Sequence, residues 1–136
     1  MNRNLLIIAL LILISGCDPK TQYQRIIKNN TSKDIWVKVE RDEFQPEYKE
    51  EGFLILKNSE MPILTSTFTG DPSQFIKCDD ADGRRIIGEG IVDHDTLVIT
   101  KKLNLESNWT YIELDTYKRG GGECECVFTL DENDIE

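Results

Sequence analysis

The chain has 136 residues, with 25 acids against 16 bases and a formal net charge of −9 when its single histidine is neutral. That length fits one domain able to bury a core of its own. The acidic balance argues against nucleic acid, whose phosphates require lysine and arginine, and equally against docking on anionic lipid by charge, while it permits a basic partner.

In chain order, Arg3 leads an unbroken apolar run from Leu5 to Ile14, and Ser15-Gly16 sets two small residues before Cys17. Charge, apolar segment and small-residue cleavage site in that order make a secretory signal, and the run is too short to span a bilayer. The Leu13-Ile14-Ser15-Gly16-Cys17 ending resembles the lipobox of bacterial lipoproteins. The resemblance implies that residues 1–16 are a signal peptide cut before Cys17. The Cys17 thiol would carry a diacylglyceryl group and the new amino terminus a further acyl chain such as palmitate. Each buried methylene contributes about 0.8 kcal/mol and two or more chains anchor stably. Cys17 would then be the membrane contact of an envelope protein on the periplasmic or outer-membrane face. Loss of Arg3 brings the mature charge to about −10.

Residues 17–21 read as the lipidated cysteine and a short polar tether, 22–130 as the domain, and Asp131 to Glu136 as an acidic tail. Gln22 to Lys28 opens the folded part, and Asn29-Asn30-Thr31-Ser32 is a turn cluster, since these side chains bond their own backbone. From Asp34 to Arg41 the chain alternates, with Ile35, Val37 and Val39 on one face and Trp36, Lys38 and Glu40 on the other. That is the period of a half-buried strand. Two such runs about a polar turn predict a hairpin.

Asp42 to Glu51 is charged, contains Pro46 and reads as a loop or at most one helical turn. Phe53 to Leu56 and Ile63 to Phe68 read as strands, separated by Lys57-Asn58-Ser59-Glu60. Phe75 to Cys78 and Arg84 to Ile87 flank the turn sequence Asp79 to Gly83. Leu97 to Ile99, Trp109 to Tyr117 and Glu123 to Leu130 complete the strand-like runs, with Gly120-Gly121-Gly122 a turn before the last. In that last run Cys124, Cys126, Phe128 and Leu130 share one face. No amphipathic stretch after residue 17 is long enough for a substantial helix. The pattern predicts an all-β fold, an immunoglobulin-like sandwich of two antiparallel sheets, with a small closed barrel as the alternative. Asn29-Asn30-Thr31 and Phe128-Thr129-Leu130 before Asp134-Ile135 resemble small lipoproteins common in Bacteroidota, which implies a β-sandwich and no particular activity.

With Cys17 lipidated, Cys78, Cys124 and Cys126 remain. Cys124 and Cys126 stand two apart on a strand, roughly 6.5–7 Å between Cα atoms, at the edge of what a disulfide spans. Cys78 with Cys124 or Cys126 is therefore the expected pairing in an oxidising compartment. Three buried thiols, or a zinc site of the three cysteines with His94, are the alternatives, although Cys-x-Cys is not the usual zinc spacing. Asp80, Asp82, Gly83 and Glu89 mimic a calcium loop counted from Cys78, but Cys78 replaces the first acid, so a hairpin turn is the simpler reading.

His94, between Asp93 and Asp95, is the one imidazole around which an acid–base or nucleophile system would have to form. No Gly-x-Ser-x-Gly elbow or His-Glu-x-x-His accompanies it, so neither catalytic residues, metal nor cofactor is expected. Trp36, Trp109, Tyr111 and Tyr117 are the candidate recognition surface, because aromatics interleaved with acids suit carbohydrate stacking or a basic protein. The competing expectation puts Trp109 and Tyr111 in the core. The expected function is a lipid-anchored, non-enzymatic binding or structural module whose partner is an envelope protein or carbohydrate. The alternatives are an inhibitor or immunity-type lipoprotein masking a basic enzyme, and a metal-binding or enzymatic domain using His94 and the cysteines.

Overall fold

The computed structural model describes residues 18–39, 51–76, 78, 90–92 and 98–136. These are mostly strand: β1 (Lys20–Asn29), β2 (Ile35–Val39), β3 (Glu51–Ile55), β4 (Ser59–Thr69), β5 (Gly90–Val92), β6 (Trp109–Thr116) and β7 (Gly121–Leu130). Short 3-10 turns cover Pro72–Phe75, Glu106–Asn108 and Glu132–Asp134. One sheet has the order β4-β1-β7-β6 and the other β3-β2-β5. The first is mixed and not antiparallel throughout, because β1 runs parallel to β7 from Lys20 opposite Gly121 to Asn29 opposite Leu130.

The expected hairpin between the first two strands does not form. β1 pairs with β4 and β7, whereas β2 pairs with β3 and β5. The reason lies in Asn29, which is fully buried. Its amide nitrogen donates to Lys33 O at 2.8 Å, Ile55 O at 3.1 Å and Leu56 O at 3.2 Å. Its carbonyl accepts from the Thr31 backbone at 3.0 Å and the Thr31 hydroxyl at 2.7 Å. The turn is therefore folded inward, and it passes the chain from one sheet to the other. The Lys57-Asn58 turn makes a similar passage from β3 to β4, with Asn58 at φ 52°.

Other local expectations shift for identifiable reasons. β1 begins at Lys20, inside the expected tether, because the Thr21 hydroxyl is buried and donates to Gly70 O at 2.6 Å. Within the expected Phe75 to Cys78 strand, the described residues 75, 76 and 78 are not strand. Asp71-Pro72 opens a 3-10 turn with proline at its first position, where a missing N–H costs nothing. Pro62 lies within β4, on the sheet edge where the absence of a donor is tolerated, beside a bulge. The expected acidic tail is tied down, since Val98 and Glu136 exchange backbone hydrogen bonds at 2.7 and 3.0 Å and Thr100 N donates to Asp134 O.

Buried residues of both sheets belong to one cluster. Tyr23 and Ile27 of β1 and Cys124, Cys126, Phe128 and Leu130 of β7 pack with Ile35 and Val37 of β2 and Ile55 of β3. Tyr23 stacks on Phe75 with ring centroids 4.9 Å apart. The alternation read from Cys124 to Leu130 holds along the strand.

The β6–β7 hairpin closes through Gly120 N to Tyr117 O and Tyr117 N to Gly121 O, both 3.0 Å. Gly120 and Gly121 have φ of 85° and 78°, and a Cβ on Gly121 would collide with the Lys20 backbone. Gly121→Ala is expected to destabilise by roughly 2–4 kcal/mol in urea unfolding. An unchanged midpoint would mean that the strand starts elsewhere.

Candidate interaction surface

The four aromatic residues picked out in the sequence are not brought together. Trp109 is buried, 8% exposed, with its indole N–H donating to Leu103 O at 2.7 Å and its ring 5.3 Å from that of Phe128. It is a core residue and no part of a recognition surface. Tyr111 is half-buried on the same face. Trp36 is 43% exposed on the smaller sheet, its ring lying against Gly52, and Tyr117 is 40% exposed at the end of β6.

A bulge explains why the aromatic–acid alternation does not stay on one face. Glu113 sits opposite Cys124, but Asp115 sits opposite Glu123, so Leu114 is the extra residue. The slip rotates Asp115 onto the outer face of the larger sheet. There it joins Glu123 and Glu125, which are flanked in register by Gln22 and Gln24 of β1 and by Thr67 and Thr65 of β4. Like charges directly opposite one another, as in the Asp115–Glu123 pair, repel. Leu114, 55% exposed, and the exposed Ile112 stand at this edge.

Beneath the surface lies a charge that sequence reading missed. Arg25 is buried. Its Nε donates to the Tyr23 hydroxyl at 3.0 Å, its Nη2 donates to Cys78 O, and its guanidinium sits 5.1 Å from the centroid of the Trp109 ring. The signal was its position between Tyr23 and Ile27 on the buried face of β1. A guanidinium with hydrogen-bond acceptors and an aromatic face is satisfied without leaving the core.

Cys78 and Cys126 form a disulfide, with Cα atoms 5.7 Å apart and a sequence separation of 48. That selects one of the two expected pairings and leaves Cys124 as a buried free thiol. It also removes two of the three thiols from the zinc alternative, and among the described residues no group of three or more His, Cys, Asp or Glu is placed to hold a metal. His94 and the Asp80–Glu89 segment lie outside the described residues, as do Cys17 and the expected signal peptide. Among the described residues no helix is long and apolar enough to cross a membrane.

Burial pushes the Cys124 thiol up, an effect only partly offset by its contact with Tyr111. The thiol is therefore poor in thiolate and unreactive at neutral pH. Tyr111 is pushed up to about 12, chiefly by burial and then by Cys124 and Glu113. A phenol raised in the folded state holds its proton longer there than in the unfolded chain. The stability it confers is intact below the ordinary value near 10 and is lost as pH rises towards about 12. Tyr111→Phe is expected to lessen the fall in stability across that window, measured by urea unfolding against pH. An identical alkaline slope in both proteins would remove Tyr111 as its cause.

The two ends of the larger sheet differ. At one end Pro19, Gly70, Asp71 and the 117–121 turn converge: Gly70 N donates to Pro19 O at 2.8 Å, and Gly121 N to Asp71 Oδ1 at 2.9 Å. At the other end lie Asn29, Asn30, the Lys57-Asn58 turn and Asp131, with Asn30 Nδ2 donating to Asp131 Oδ1 at 3.1 Å. The ten residues of β1 set these ends about 30 Å apart.

No family model matches this chain, and no curated protein or solved structure matches it either.

Proposed function

We propose that the protein is a lipid-anchored, non-enzymatic binding module of the bacterial cell envelope, held through Cys17 and built as an immunoglobulin-like β-sandwich. The observation that carries the reading is the Cys78–Cys126 disulfide, because such bonds persist in oxidising compartments outside the cytoplasm. The secretory pattern of residues 1–17 agrees with it. Residues of both sheets share one core cluster, which supports face-to-face layering. β1, the strand nearest to Cys17, is paired along its length on both sides, so the anchor leads directly into the body of the domain.

Mass spectrometry of the native protein tests the anchor. The expected N-terminal peptide begins at Cys17 and carries acyl mass, whereas a protein beginning at Met1, or one with an unmodified Cys17, ends the reading. Crosslinking in intact envelopes tests the module, and the expected result is a saturable partner. Recovery of lipid and bulk abundant proteins alone would count against it.

The outer-face acids Asp115, Glu123 and Glu125 favour a second reading, the masking of a basic enzyme. Its expected signature is salt-sensitive binding to lysozyme. No inhibition at low salt would end it.

A further inference from the structure

We propose that the free edge of β4 pairs with the same edge of a second copy of this chain, joining two four-stranded sheets into one continuous sheet. The larger sheet has two edges, β4 and β6. Among the described residues no strand other than β1 pairs with β4. Gly70 N donates to Pro19 O, which makes Pro19 and Gly70 a hydrogen-bonded pair. In an antiparallel ladder such pairs alternate with unbonded ones, and the register is regular from Lys20 opposite Thr69 to Arg25 opposite Leu64. Phe68, Ser66 and Leu64 therefore turn their backbone groups towards β1. Thr65, Thr67 and Thr69 turn theirs outward.

The two edges are built differently. β6 carries Glu113, Asp115 and the bulge at Leu114, the devices that keep a sheet edge from pairing. On β4 the proline and the bulge lie towards the Ser59 end, at Pro62 and Ile63. From Leu64 to Thr69 the strand has no charge, proline or irregularity, and Thr65, Thr67 and Thr69 are exposed. A bare edge of that kind is a template for another strand.

Symmetry and charge select the occupant. A two-fold axis beside Thr67 sets this residue opposite its own counterpart, and Thr65 opposite Thr69 in both directions. Every outward N–H then meets an outward C=O, about two hydrogen bonds for each opposed pair. Threonine faces threonine along one side of the sheet, a favourable cross-strand pairing, and Ser66 faces Phe68 on the other. The contact is self-complementary, as a two-fold interface must be. The nearby charges do not oppose it. Lys20 sits behind Thr69 on β1, Glu60 lies beyond the bulge, and Asp71 lies past the paired segment and accepts from Gly121 N. Glu123 and Glu125 are on β7, two strands further in. Those of the two copies would stand about 24 Å apart, five strand spacings, against a Debye length near 8 Å. Self-pairing of β6 would instead crowd Glu113 and Asp115 of both copies together.

The test is sedimentation equilibrium of the full chain in excess non-ionic detergent, with urea midpoints to confirm that each variant is folded. One strand pair is a small interface, so a reversible dimer with a dissociation constant of roughly 10–100 μM is expected. Thr67→Lys and Thr67→Glu each place like charges opposite one another and lose the threonine pair, which should weaken the dimer about tenfold. An equal mixture of the two sets lysine against glutamate and is expected to restore association, which a misfolded variant could not do. Leu114→Lys on the opposite edge is expected to leave the dimer intact. Amide exchange at Thr65, Thr67 and Thr69 should slow as concentration rises. A monomer up to about 1 mM, well above that range, would overturn the proposal. So would a dimer indifferent to both Thr67 substitutions, one lost in Leu114→Lys, or a mixture that stays monomeric.

Discussion

Asn29→Asp is expected to leave the domain largely unfolded at neutral pH. The Asn29 amide nitrogen faces three carbonyl oxygens, those of Lys33, Ile55 and Leu56, in a fully buried site. A carboxylate there donates nothing, presents negative charge to three acceptors, and loses its water. Breaking a buried network while burying an unpaired charge costs about 4–5 kcal/mol, a large share of a typical domain's 5–15 kcal/mol. Asn29→Leu removes the hydrogen bonds without adding charge and should cost less, about 3 kcal/mol. The sign with pH separates the two variants. Burial raises the pKa of the introduced carboxyl above its unfolded value, so the variant regains stability relative to the parent as pH falls towards about 4. Urea titrations at pH 4 and 7 would show this. Equal midpoints for the parent and the aspartate variant at pH 7 would mean that the turn does not carry the passage between the sheets.

Reduction of the Cys78–Cys126 bond is expected to lower stability by about 4 kcal/mol, the loop-closure value for roughly 48 residues. The native state adds to this. Cys78 has a left-handed backbone, φ 52°, which a non-glycine residue adopts only when its surroundings insist. It is held by the disulfide, by the Cys78 N to Phe75 O hydrogen bond of 2.9 Å, and by the Arg25 guanidinium on its carbonyl. Once the sulfur link is cut, residue 78 can relax and Arg25 loses an acceptor, so the Tyr23–Arg25–Trp109 cluster loosens with it. Cys126→Ser should match the reduced protein, and reductant should not destabilise it further. A parent protein whose unfolding midpoint is indifferent to reductant would not contain the bond.

Strand faces were legible in the sequence, and strand partners were not. Ile35 and Val37, and Cys124 through Leu130, announce their buried side because a strand alternates with period two. Alternation says nothing of which neighbour a strand takes, so β1 and β2 read as a hairpin although they belong to different sheets. The Asn29-Asn30-Thr31-Ser32 cluster was recognisable as a turn, but its inward direction depends on carbonyls 26 and 27 residues away. Pro72 was the available sign that a 3-10 turn precedes Cys78. The bulge at Leu114 has no such sign. It redistributes Asp115 and splits a surface that spacing alone made continuous. The disulfide was narrowed by strand geometry to two pairings, and the choice of Cys126 depends on where the 3-10 turn sets Cys78.

The side-by-side, same-direction placement of β1 and β7 governs how the chain can acquire its structure. Their paired residues are separated by about a hundred positions, as Lys20 and Gly121 show. Bringing them together requires closing most of the polypeptide into a single loop, and such distant pairings slow folding. A chain delivered amino end first therefore exposes one edge of its opening strand until the last strand has emerged. Until then that edge is a place where another unfinished chain can attach.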